Sequence, residues 1–278
     1  MAEAQAHSFE ATGHASVSVE IPAGVLVVES WHEPRVEVEV APRRGDERSA
    51  AAAAETRVSA TERGGRQEVV VRAPRREGKL GLGWRRGPEL EVTVRCPEGS
   101  DVDFGTATAD LDARGSLGAV AVRSASGDAS LEDAASLSFT TASGDLSAGS
   151  IAGGLTTKGA SGDVDVRSVG GAASVNTVSG DVRLGSTGGA AAVRTVSGDV
   201  DLRAAAAGIE IGSVSGDVEV AAVPGLVLWI DAQSVSGTMT SELDVGDEPA
   251  ADGQQTVELR IRTVSGDVRL TRSAVAAR

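Results

Sequence analysis

Polar and apolar residues alternate through Asp181-Val182-Arg183-Leu184 and again through Ala191-Ala192-Val193-Arg194, the period-two pattern of half-buried strands. Gly188-Gly189 between them marks a turn. The pattern recurs behind a Ser-Gly-Asp triplet that begins at Ser126, Ser143, Ser161, Ser179, Ser197, Ser215 and Ser265, with Ser236-Gly237-Thr238 as a variant. In chain order the steps between copies are 17, 18, 18, 18, 18, 21 and 29 residues. One step further back, Thr108-Ala109-Asp110 reads as a worn first copy, which makes about nine in all. A coil of about 18 residues cannot hold a strand–helix–strand unit, which needs about 30. Its short strands must instead stack in parallel, about 4.8 Å apart, on the equivalent strands of the next coil. The predicted fold is all-β: a parallel β-solenoid (β-helix) of about nine coils. Right-handed crossovers are the rule for parallel strands and are expected here. The six-residue spacing of Val178, Leu184 and Ala190 would suit a left-handed coil, but the Ala191/Val193 alternation fits that scheme poorly.

Stacking turns the repeat into columns. Val164, Val182, Val200 and Val218 should line up inward, as should Val166, Leu184, Leu202 and Val220, and Val175, Val193 and Ile211. Val178, Val196, Val214, Val235 and Val264 read as a fourth such column just before the turn, with Thr177/Ser179 and its repeats facing outward. The glycine of each triplet suits a corner that needs positive φ or close backbone approach. Asp145, Asp163, Asp181, Asp199 and Asp217 then stack at the coil repeat. They could bond local backbone groups, as in Asx-type turns. They could instead hold cations, although calcium-binding β-rolls use a nine-residue pattern and each coil here has one such Asp. The neighbouring column Asp165, Arg183, Asp201 alternates in sign, which favours the structural reading. Two coils are stretched. Val223 to Ile230 lengthens one, with Trp229 expected to close a widened core, and an acidic loop from Leu243 to Gln255 enters the other.

Residues 8–105 lack the repeat but read as strands around Ser16–Ile21, Val25–Val28, Val36–Val40, Glu68–Arg72 and Leu90–Val94. Asp46 can cap a short helix through Ala50–Glu55. Glu68–Arg72 and Leu90–Val94 read as hairpin arms. Their tip holds Arg75, Arg76, Lys79, Trp84, Arg85 and Arg86, the one basic patch and the candidate partner-binding residues. The expected organisation is a disordered start at 1–7, a β-rich capping region with the basic hairpin at 8–105, the solenoid at 106–272 and a tail at 273–278.

Composition narrows the chemistry. The 278 residues are 41% apolar, with no Tyr, three Phe and three Trp, so the core must be thin and built from Val, Ala and Leu. A net charge of −14 and the lack of aromatic platforms argue against nucleic-acid binding. The single cysteine, Cys96, ends a strand with no histidine after it, and reads as a buried structural thiol. His7, His14 and His32 all lie near the start. No catalytic, cofactor or metal fingerprint stands out. The start lacks a basic and apolar leader, and no apolar run reaches the ~18 residues of a membrane span, so a cytoplasmic location is expected.

Val27-Val28-Glu29-Ser30-Trp31, Val94-Arg95-Cys96-Pro97-Glu98-Gly99-Ser100 and the repeated Thr-Val-Ser-Gly-Asp-Val-Arg-Leu resemble the bacterial DUF4097 family, also called "putative adhesins", from about Ser8 to Leu270. The resemblance implies a β-solenoid and carries no catalytic residues. The function expected is a non-catalytic structural or protein-interaction scaffold with an unidentified protein partner. The alternatives are a ligand- or cation-binding sensor using the Asp column or the basic hairpin, and a carbohydrate-active β-helix enzyme. The last would need convergent acid/base groups and sugar-binding aromatics.

Overall fold

The computed structural model describes residues 4–74, 87–223, 227–243 and 256–273. The chain divides into two compact units, Met1–Gly144 and Asp145–Arg278. The second is built from parallel strands stacked coil on coil, the solenoid architecture expected from the repeat, and the first combines parallel stacking with antiparallel pairs.

The first unit contains β1 (Gln5–Glu10), β2 (Ser16–Trp31), β3 (Arg35–Pro42), α1 (Glu47–Glu55), β4 (Arg57–Arg63), β5 (Arg66–Arg72), β6 (Leu90–Pro97), β7 (Asp101–Ser124) and β8 (Ala129–Thr141). β2 alternates buried and half-buried residues and organises the unit. Along one edge it pairs in parallel with β7, from Ser16↔Asp101 to Glu29↔Arg114. β7 passes the parallel order on to β8. Along the other edge, β2 pairs first with β5 and then with β6, both in parallel.

That arrangement corrects the hairpin expected from the sequence. β5 and β6 run in the same direction, so they cannot be the two arms of one antiparallel hairpin. The hairpin is β4–β5, closed by Gly64-Gly65, both at positive φ. β6 instead pairs antiparallel with β3. β1 begins at Gln5, inside the stretch expected to lack structure, and is held by antiparallel pairing to β3. The helix forms where expected. Asp46 accepts the Ser49 amide at 2.7 Å, satisfying one of the unpaired N–H groups of the first turn.

The second unit contains β9 (Leu146–Ile151), β10 (Leu155–Lys158), β11 (Val164–Val169), β12 (Ala173–Asn176), β13 (Val182–Leu184), β14 (Ala191–Arg194), β15 (Val200–Ala205), β16 (Ile209–Gly212), β17 (Val218–Ala222), β18 (Val227–Ser236), β19 (Met239–Ser241), β20 (Thr256–Ser265) and β21 (Val268–Arg272). They make two parallel stacks. One runs β9–β11–β13–β15–β17 and the other β10–β12–β14–β16, in the predicted register. Val164, Val182, Val200 and Val218 are partners in turn, as are Val175, Val193 and Ile211.

The stacking order then departs from the chain order. β16 pairs with β20 and β17 with β21, while β18 and β19 lie beyond them, paired to β20 and β21. The last segment of the chain is thus inserted under the coil that precedes it. Burial explains the choice. Val257, Leu259, Ile261, Val268 and Leu270 of the inserted coil are all at most 3% exposed. The outer coil carries Gln233, Ser234, Thr240 and Ser241, and the structure buries the more apolar coil. Val169, expected in a variable turn, is also core, paired with Ile151 and bridged to Thr187.

Candidate functional site

The Ser-Gly-Asp corner repeats up the stack. Gly180 and Gly198 have φ of 122° and 139°, and a Cβ on Gly198 would sit 2.2 Å from the Gly180 carbonyl oxygen. The chain can pass this corner only without a side chain. The tight packing places each Asp carboxylate beside the amide of the Asp one coil on. Asp163 N donates to Asp145 Oδ1, Asp181 N to Asp163 Oδ1 and Asp217 N to Asp199 Oδ1, each at 2.8 Å, and Asp199 N to Asp181 Oδ1 at 3.0 Å. The ladder follows the true stacking order: Asp267 N donates to Asp217 Oδ1 at 2.8 Å and Thr238 N to Asp267 Oδ1 at 2.7 Å. In the first unit the worn copy does the same, with Asp128 N donating to Asp110 Oδ1 at 3.1 Å. The aspartates are therefore backbone caps. Arg183 takes the second oxygen of Asp181 at 2.8 Å. No group of three or more His, Cys, Asp or Glu suited to a metal is found among the described residues.

The residue before each corner Ser overturns an expectation. Val178, Val196, Val214 and Val264 are 45–50% exposed and Val235 is 82% exposed, whereas Thr177, Thr195, Ser213 and Thr263 are buried. Strand parity is the reason. Ala173 and Val175 point inward along β12, so the next inward position is Thr177, and Val178 must face out. Thr177 Oγ1 and Thr195 Oγ1 donate to the Ser179 and Ser197 carbonyls, which makes the inward hydroxyl tolerable. The result is an apolar ridge of five valines, one on each of five coils. Beside it the strand register lines up Lys158, Asn176, Arg194, Gly212 and Arg262. A shallow groove of about 320 Å³ lies between Lys158, Arg194 and the ridge residues Val178 and Val196. Arg194 also pairs with Glu210 at 2.9 Å. Counting parity forward from Val175 would have found this surface in the sequence.

Trp229, expected in the core, is 54% exposed. Arg183 aligns between Asp165 and Asp201 as predicted. Arg75, Arg76, Lys79, Trp84, Arg85 and Arg86 lie outside the described residues. Their flanks, Pro74 and Gly87, line a cavity of about 580 Å³ in the first unit, together with Glu20, Thr106 and Arg123. Arg123 pairs with Asp103 at 2.5 Å, and that hydrogen bond and charge hold the guanidinium further toward its protonated form. Cys96 is fully buried, and burial pushes its thiol up to about 11, so it stays protonated. This is the structural thiol the sequence suggests. Among the described residues no helix is long and apolar enough to cross a membrane.

The family model described as Toastrack DUF4097 matches residues 35–271. Among curated proteins no relative matches. Several solved structures match across nearly the whole chain. A "putative adhesin" from Bacteroides fragilis is 14% identical, with a TM-score of 0.42, covering 96% of this chain and 97% of its own. A "putative adhesin" from Parabacteroides distasonis is 11% identical, with a TM-score of 0.44 and the same coverage of 96% and 97%. A "putative lipid binding protein" from the same species is 10% identical, with a TM-score of 0.35, covering 96% of each chain.

Proposed function

The chain belongs to the Toastrack DUF4097 family, and from that premise we propose that it is a non-catalytic scaffold whose valine ridge docks a protein partner. The observation that carries this reading is the ridge itself. Val178, Val196, Val214, Val264 and Val235 stay about half exposed or more in a chain that buries its other aliphatic columns. Scattered apolar residues need no explanation, but a contiguous stripe of them does. Lys158, Arg194 and Arg262 alongside would favour partners that pair an apolar strip with acidic groups. The corner aspartates, by contrast, have one oxygen each committed to a backbone amide, which leaves little for a cation-binding role.

The test is a comparative pull-down from a lysate of the source organism with three baits. They are the intact chain, a chain lacking residues 74–87, and the triple variant Val178→Ser/Val196→Ser/Val214→Ser with its melting temperature checked. The expected result is a partner kept by the first two and lost by the third. A partner list unchanged by the triple variant would sink the reading. Loss only with the 74–87 deletion would move the site to the basic segment.

A further inference from the structure

The outer coil of the second unit is unlike the others. Among the described residues β18 and β19 each pair with one strand, β20 and β21, and their opposite edges have no strand partner. The core runs out with them. Val257, Leu259 and Ile261 of β20 are 0–2% exposed, but the residues opposite them, Leu228, Ile230 and Ala232, are only half-buried. On the outer surface Trp229 and Val235 are 54% and 82% exposed, and Met239, opposite the buried Val268, is 47% exposed. Natural sheets protect such edges with lysine, proline or other charge. Residues 227–243 contain no Lys, Arg or Pro, and their only acids are Asp231 and Glu242.

The corner of this coil also differs. Thr238 donates its amide to Asp267 like every other corner, but it stands where the other coils carry Asp. It therefore offers no carboxylate to the amide of a further parallel coil.

We propose that this coil is a homodimer surface, on which β18 of one copy pairs antiparallel with β18 of a second copy about a two-fold axis. An occupant must supply both a strand edge and an apolar cross-section to close the core over Leu228, Ile230 and Ala232. A single extended peptide supplies only the edge. The adjoining segment 244–255 has little to bury, with four acids and one aliphatic side chain larger than Ala. A second copy brings the same edge and the same core outline. Head-to-tail addition would need parallel stacking, and Thr238 lacks the cap that each parallel step uses. A two-fold antiparallel pairing does not use that corner, and it closes at two copies.

Sedimentation velocity on the full chain tests this. A species of about 56 kDa is expected, twice the 28.0 kDa chain. Ile230→Lys places a charge in the joint core. Because it could also loosen the coil, Trp229→Lys/Gln233→Lys on the exposed face of β18 itself serves as the second variant. Each should raise the dimer dissociation constant by at least about tenfold. The idea fails if the chain is a monomer up to ~100 μM, if its mass grows past the dimer, or if the second variant leaves the dimer as tight as before. The valine-to-serine ridge variant should still dimerise, which separates this surface from the docking ridge.

Discussion

Replacing Asp199 tests the corner ladder directly. Its Oδ1 accepts the Asp217 amide at 2.8 Å, one coil along the stack. Asp199→Ala removes that acceptor and leaves the amide to compete for water at an exposed corner. Loss of a hydrogen bond to a charged acceptor costs about 1.5–3 kcal/mol in protected settings, and an Asp cap at a helix start about 0.5–2 kcal/mol. Exposure argues for the lower part of that range, about 1 kcal/mol. A second effect opposes it. Stacked carboxylates about 5 Å apart repel by roughly 0.8 kcal/mol each in water, less in salt, and the alanine variant relieves this. Asp199→Asn separates the two, because it keeps a carbonyl acceptor and removes the charge. Thermal unfolding followed by circular dichroism should show Asp199→Ala melting about 2–4 °C lower at about 0.5 M salt, where the repulsion is screened, and by less at low salt. Asp199→Asn should melt at or slightly above the parent temperature. Asp165→Ala, on the neighbouring outward column, is the control and should change little. Millimolar calcium should leave the parent curve where it is. If Asn is as damaging as Ala, or if calcium stabilises the parent and not the variants, the carboxylates act through charge and the capping argument is wrong.

The close-packed corner and the buried thiol each lead to further outcomes. Gly198→Ala places a Cβ 2.2 Å from the Gly180 oxygen at φ 139°, and should cost at least about 3 kcal/mol in urea unfolding. Gly212→Ala, whose Cβ would meet nothing within 4 Å, should be close to neutral, and equal losses at the two sites would refute the close-packed corner. Cys96 is fully buried with its thiol raised from 9.0 to about 11, so it should resist a disulfide-exchange reagent at pH 8 until the chain is unfolded. Because the folded value lies above the unfolded one, its contribution to stability is complete below about pH 9 and is lost as pH rises toward 11. Rapid labelling of the folded protein would show that the site opens.

Much of the second unit could be read before any coordinates. A parallel stack puts equal positions over one another, so an 18-residue period and a two-residue alternation already name the columns through Val164, Val166 and Val175. The corner Gly and Asp were legible for the same reason. Phase is where composition misleads. Val178 is apolar, which suggests an inward position, but parity from Val175 turns it outward and brings Thr177 in. That information was present in the sequence. The first unit was less legible, because β5 and β6 contact each other's surroundings through β2, which lies about fifty or more residues away in the chain. Local alternation cannot show that two neighbouring strands share a third strand instead of each other.

The sequence by itself determined the coil: its length, its inward columns, its corner and its family. These follow from interactions within a repeat and between identical repeats, which periodicity records. Only the tertiary structure decided which coil stacks on which. Residues 256–272 slide beneath residues 227–241 because burial rewards Leu259, Ile261 and Leu270 more than Ser234, Thr240 and Ser241, whatever their order along the chain. Ser-Gly-Thr in place of Ser-Gly-Asp at Ser236 was a local trace of that choice, since among the described residues the outer coil has no further amide to cap.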